Sequence, residues 1–132
     1  MNILLDTHIL IWYINQSNKL SQQLKELIEK ANKIAISSAT CFEIAWLVKH
    51  QRILLPKDMD YQDWIVIVKE QTDIDIIAID EHICELAVNL PEHHKDPMDR
   101  LIIATALLYN YHLMSVDTKF SVYLELNEKL LT

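Results

Sequence analysis

The chain has 132 residues, 12 Lys and Arg against 19 Asp and Glu, a formal net charge of −7 and 51% hydrophobic residues. That length is expected to form one domain over residues 1–132 around one core, and the acidic balance argues against a passive nucleic-acid coat, which needs a basic face. Glycine is absent, which excludes a Walker A loop, a G-x-G-x-x-G dinucleotide turn and a G-x-S-x-G nucleophile elbow, since each needs glycine where backbone approaches a ligand or turns sharply.

In chain order, Asn2–Asp6 reads as a short apolar strand ending on a carboxylate, with a helical pattern following through Tyr13. Leu20, Leu24, Leu27, Ile28 and Ala31 recur at helical spacing. Ile34–Ile36 is a second strand, stopped by Ser37-Ser38, which can cap a helix carrying Phe42, Ala45, Trp46 and Lys49. Leu54-Leu55-Pro56 is a connector, and residues 61–71 around Trp64 form an amphipathic helix. Residues 74–79 read as a third strand, Asp80 caps a helix running to Asn89, and Pro91 ends it. Asp96-Pro97 opens the next helix, apolar on nearly every side from Leu101 to Leu108 and therefore central. Residues 112–116 form a fourth strand ending at Asp117, a helical turn runs to Tyr123, and 124–131 holds a candidate fifth strand. Strands alternating with helices predict an α/β fold with a mostly parallel sheet of four to five strands covered on both faces.

Cys41 and Cys84 form no C-x-x-C and lie in periodic apolar segments, which predicts buried free thiols in a reducing cytoplasm, a single disulfide being the lesser alternative. The apolar N-terminus is interrupted by Asp6 and His8 and has no Lys or Arg before it, unlike a signal peptide or a membrane span.

Acids recur where strands end and helices begin. Asp6 follows the first strand, Asp117 the fourth, and Asp99 lies in the first turn of the central helix; in parallel α/β folds that edge is where ligands bind. From Asp99 the helix descends roughly 15 Å. The strand from Tyr111 climbs back about 17–20 Å, returning Asp117 near the level of Asp99. Glu43 sits about one turn into its helix, so four carboxylates could share one pocket. Two like charges at 4 Å repel by about 4 kcal/mol at an effective dielectric of 20, and a hard divalent cation on all-oxygen ligands, Mg²⁺ or Mn²⁺, removes the difficulty.

Each acid also has a plainer reading. Asp96-Pro97-Met98-Asp99 resembles an N-cap, N1 proline and first-turn acid, and Asp6 and Asp117 can cap the helices after them. Thr40-x-x-Glu43 is a formal capping box, although Ser37 or Ser38 is better placed. His93-His94 lacks the i, i+4 or C-x-x-C partner of a zinc site. Lys95, Arg100 and Lys119 are either surface ion pairs or phosphate contacts near the pocket.

LLDTH (4–8), SATCFEIAWL (38–47), LPEHHKDPMDRLIIATA (90–106) and LMSVDTKFSVY (113–123) together resemble a PIN domain, and within that family the VapC-type toxins of bacterial toxin–antitoxin pairs. The segment LELNEKLL departs from the family, whose members often carry a glycine before the last strand. The resemblance implies a PIN-like fold and Mg²⁺-dependent endoribonuclease activity, with Asp6, Glu43, Asp99 and Asp117 as catalytic and metal-binding acids. By the same resemblance, Asp96 is the helix cap with an outer role at the site. Thr7 and Ser115 hydrogen-bond the acids or metal-bound waters, and His94 and Arg100 steady the loop or touch substrate. It further implies an RNA substrate, a small cognate antitoxin over the pocket, a homodimer, and a cytoplasmic location without a membrane. Two rivals stand beside it: a catalytically silent PIN-like binding module, and a haloacid-dehalogenase-like phosphatase, whose second Asp two residues on is here His8.

Overall fold

The structure, a computed structural model, describes residues 1–93 and 95–132. Among these residues five strands form one sheet: β1 (Asn2–Leu5), β2 (Lys33–Ser37), β3 (Ile74–Ile77), β4 (His112–Met114) and β5 (Leu130–Leu131), in the order β3-β2-β1-β4-β5. Every described pairing is parallel. The α-helices are α1 (Thr7–Ile14), α2 (Gln22–Lys30), α3 (Ser38–Lys49), α4 (Tyr61–Gln71), α5 (Glu81–Asn89) and α6 (Pro97–Tyr109). Single 3-10 turns occupy Pro56–Asp58, Thr118–Val122 and Leu124–Lys129.

The two-residue alternation of a strand sorts the core. Ile3 and Leu5 enter one apolar cluster with Ile9, Leu24, Ile28, Trp64 and Val68, under α1, α2 and α4. Leu4 points the other way, into a cluster with Ile83, Ile102, Ile103 and Phe120, under α5 and α6. α3 stands between them, with Ile44 in the first cluster and Ala39 in the second.

Several boundaries differ from those read in the sequence. β3 stops at Ile77 because its partner β2 ends at Ser37, which pairs with Ile77; the Ile79 amide instead donates to Ser38 Oγ at 3.1 Å. β4 stops at Met114 because β1 ends opposite it at Leu5. The fifth strand is only Leu130–Leu131, reached through the 3-10 turn Leu124–Lys129. Cys84 is exposed, not buried, since α5 turns Ile83 and Ala87 inward; Cys41 is half-buried, and both thiols are free.

The missing glycines have a conformational counterpart. Five non-glycine residues have φ between 53° and 58°: Gln16, Gln51, Lys57, Asp58 and Asn110. Gln16 and Gln51 follow the ends of α1 and α3, and Asn110 is the C-cap of α6, where glycine is the usual residue. No positive φ falls between Tyr111 and Leu131 among the described residues, so the approach to β5 needs no glycine.

Candidate active site

The parallel sheet directs the carboxyl ends of β1, β2 and β4 to one edge, and Asp6, Ser37 and Ser115 follow directly or complete them. Asp6 is the N-cap of α1, and its Oδ1 accepts the Thr7 amide at 2.7 Å. Its Oδ2 accepts the Ser115 hydroxyl, also at 2.7 Å. Ser115 Oγ in turn accepts the Asp117 amide at 3.0 Å, so one hydroxyl ties the ends of two neighbouring strands together. Asp117 Oδ1 caps the following turn by accepting the Lys119 amide at 3.0 Å.

Ser37, not Thr40, caps α3, accepting the Ala39 amide at 3.0 Å. One turn on, Glu43 Oε1 accepts the Thr7 hydroxyl. Thr40 Oγ1 lies 3.3 Å from the same Thr7 oxygen. Sequence reasoning treated Thr40 only as a rival cap; its spacing of three residues before Glu43, which puts both on one helix face, was the available signal. Asp96 caps α6 by accepting the Met98 amide at 3.0 Å, with Pro97 in the first turn. Asp99 follows in that turn and is 8% exposed, close to the 7% of Asp6.

The electrostatics show which acids share a field. Burial pushes the Asp99 carboxyl up to about 7, and the negative charges of Asp96, Asp6, Glu43 and Asp117 each add to the rise. The Asp6 carboxyl is also raised, chiefly by burial. The Ser115 and Thr7 hydrogen bonds oppose that rise, Glu43 adds to it, and His8 opposes it. Asp6 and Asp117 after two strands, Glu43 and Asp99 on two helices, and the cap Asp96 therefore share one field, at the edge where parallel sheets bind ligands. Their donors are all oxygen, the chemistry that hard divalent cations select. Asp6, Glu43, Asp96 and Asp117 each accept an amide or hydroxyl hydrogen from their own chain. Among the described residues, no three His, Cys, Asp or Glu side chains are close enough to hold one ion.

Arg100 is buried and donates to main-chain carbonyls at the end of α5: Nη2 to Ala87, Val88 and Leu90 at 2.8, 3.1 and 2.8 Å, and Nη1 to Pro91 at 3.0 Å. It fastens the end of α5 and the residues after it to α6, the steadying role expected of it. Lys95 and Lys119 are exposed. His93 packs edge-on against Tyr123, ring centroids 4.9 Å apart. His94 lies outside the described residues.

A parallel sheet with acids along its carboxyl edge defines an α/β protein with an acidic ligand-binding edge. The model of the PIN domain matches residues 3–125, and the chain belongs to the PIN domain family. Ribonuclease VapC22 from Mycobacterium tuberculosis is 31% identical over 118 residues, covering 89% of this chain and 88% of that protein. Among solved structures, VapBC2 from Rickettsia felis bound to a DNA fragment from its promoter superposes with a TM-score of 0.73 at 24% identity, covering 98% of this chain and 97% of that one. A toxin–antitoxin complex from Klebsiella pneumoniae gives a TM-score of 0.68 at 25% identity, covering 98% and 96%. No helix among the described residues is long and apolar enough to cross a membrane.

Proposed function

We propose that this chain is a Mg²⁺-dependent endoribonuclease and the toxin of a toxin–antitoxin pair. One observation carries the reading: Asp6, Glu43, Asp96 and Asp117 all raise the carboxyl of a buried Asp99, an arrangement unfavourable to the empty fold and suited to a cation. The 31% identity to a ribonuclease over most of both chains supports the same activity. Membership of the PIN family removes the dehalogenase-like alternative.

Asp6, Asp99, Asp117 and Glu43 are the residues that would hold Mg²⁺, or Mn²⁺ in its place. When bound, such an ion lowers the pKa of water and offsets charge on the phosphate in the transition state. Asp6 is the central acid, fixed on both oxygens by Thr7 and Ser115. Glu43 orients the attacking water and accepts its proton; the Thr7 hydroxyl bonds Oε1 and leaves Oε2 for that role. The water attacks phosphorus, the departing ribose oxygen leaves with the electron pair of the P–O bond and takes a proton from solvent water, and no side-chain nucleophile takes part. Asp96 holds the start of α6 and so the position of Asp99.

The partners follow from the same reading: RNA as substrate, a small cognate antitoxin covering the acidic edge, a homodimer, and a cytoplasmic setting. The test is cleavage of structured RNA by the purified chain, freed of antitoxin, with Mg²⁺ and with EDTA. Cleavage that requires the ion supports the proposal. Ion-independent cleavage overturns the mechanism, and cleavage of DNA but not RNA overturns the substrate. A folded chain that binds RNA and never cuts it would be the silent binding module.

A further inference from the structure

α3 carries a feature that the acidic site does not use. Phe42, Trp46 and His50 follow one another at a spacing of four, which aligns them in a single stripe along the helix and its C-cap. The stripe faces solvent: Phe42 is 62% and Trp46 43% exposed, while Ala39 and Ile44 supply the buried side of the helix. It starts at the candidate site, since Phe42 adjoins Glu43 and α3 begins at the carboxyl end of β2. At its far end the rings are held in place. His50 stacks on Trp46 with centroids 4.1 Å apart and planes 24° apart, and its Nδ1–H donates to the Trp46 carbonyl at 2.9 Å. The Arg52 guanidinium lies 5.9 Å from the Trp46 ring centre.

Charge follows the stripe. Lys49 stands three residues after Trp46 on the same helix, and the Arg52 guanidinium approaches the Trp46 ring. Exposed ring faces beside cations suit unstacked bases on a phosphate backbone, because every base has a face to stack and every nucleotide a charge to neutralise. A purely apolar peptide segment would gain nothing from Lys49 and Arg52 beside the rings.

We infer that Phe42 and Trp46 form a base-stacking platform that leads single-stranded RNA to the acidic edge, with Lys49 and Arg52 on its phosphates. This rests on the ribonuclease reading for its substrate, and its test separates the two. Binding of a fluorescent single-stranded oligouridylate is followed by anisotropy on the Asp6→Asn background, while cleavage by the unaltered chain is measured in parallel. Phe42→Ala and Trp46→Ala should each weaken binding about 5- to 100-fold. Phe42→Tyr should keep it, Val88→Ala on exposed α5 should leave it unchanged, and Arg52→Ala should lower the salt dependence by about one counterion. Ring-dependent binding supports the platform even where the unaltered chain cuts nothing, an outcome that would overturn the ribonuclease reading alone. Cleavage of RNA with oligouridylate affinity unchanged in Phe42→Ala and Trp46→Ala overturns the platform alone. Loss of cognate-antitoxin capture in those variants, with RNA affinity intact, also overturns it and assigns the stripe to the antitoxin.

Discussion

Ser115, at the end of β4, donates its hydroxyl hydrogen to Asp6 Oδ2 at the end of β1, 2.7 Å away. Ser115 Oγ itself accepts the amide of Asp117 at 3.0 Å. The bond opposes the rise that burial imposes on the Asp6 carboxyl. One fully buried hydroxyl thus stabilises one candidate acid and positions the next.

Ser115→Ala leaves a buried carboxylate oxygen and an amide without that partner. The variant is expected to lose about 1–3 kcal/mol of stability, read from urea unfolding, and to shift the Asp6 carboxyl further upward. A loss under about 0.5 kcal/mol would show that this link does not hold the site.

Asp99 gives a pH dependence whose sign is fixed by its raised carboxyl, about 7 folded against an ordinary value of 3.8. Between those values the folded chain binds more protons than the unfolded one, so stability falls as pH rises. The metal-free chain is therefore expected to be less stable at pH 8 than at pH 5, by about 2 kcal/mol from Asp99 once solvent screening is allowed for, with Asp6 acting in the same direction. Asp99→Asn should flatten the profile. Thermal unfolding in EDTA across this range measures it, and a stability that climbs with pH would contradict the shared field.

Arg100 binds four carbonyls at and beyond the end of α5. Arg100→Met removes every donor and should cost about 3 kcal/mol or more. Arg100→Lys should restore little, because an ammonium cannot reproduce the planar fork. Denaturation midpoints decide this, and a fully stable lysine variant would refute it.

The left-handed residues at helix ends predict stabilisation by substitution. Gln51, at φ 56°, and Gln16, at φ 53°, follow α3 and α1. Replacing either with glycine relieves a left-handed cost of about 1–2 kcal/mol and adds about 0.5–1 kcal/mol of unfolded-state entropy. The net gain should be up to about 1 kcal/mol by urea unfolding, and a clear loss at both sites would contradict it.

Much of this was legible because it is local. The run Ile3-Leu4-Leu5 fixes two faces of β1 by alternation, and Asp96-Pro97 and Asp80 mark helix starts by their caps. The placement of Asp99 and Asp117 followed from the lengths of α6 and β4. What was not legible depends on neighbours. β3 ends where β2 runs out of pairing groups, and Cys84 is exposed because α5 packs through Ile83 and Ala87. Arg100 looked like any cation near a pocket until the carbonyls of α5 were placed around it. The spacing of Phe42 and Trp46 is that of a core face; only the packing of α3 through Ala39 and Ile44 turns it to solvent.

The most direct measurement of the central claim is single-turnover cleavage of RNA in Mg²⁺ by the unaltered chain and by Asp6→Asn, Glu43→Gln, Asp99→Asn and Asp117→Asn. Groups that act as one unit give non-additive losses. Each single variant should lose about 100-fold or more, of the size that removal of one electrostatic partner causes, and the Asp6→Asn, Asp99→Asn pair should lose little beyond the worse single variant. A variant at Asp6 or Asp99 that folds and cuts RNA at the unaltered rate would contradict the account.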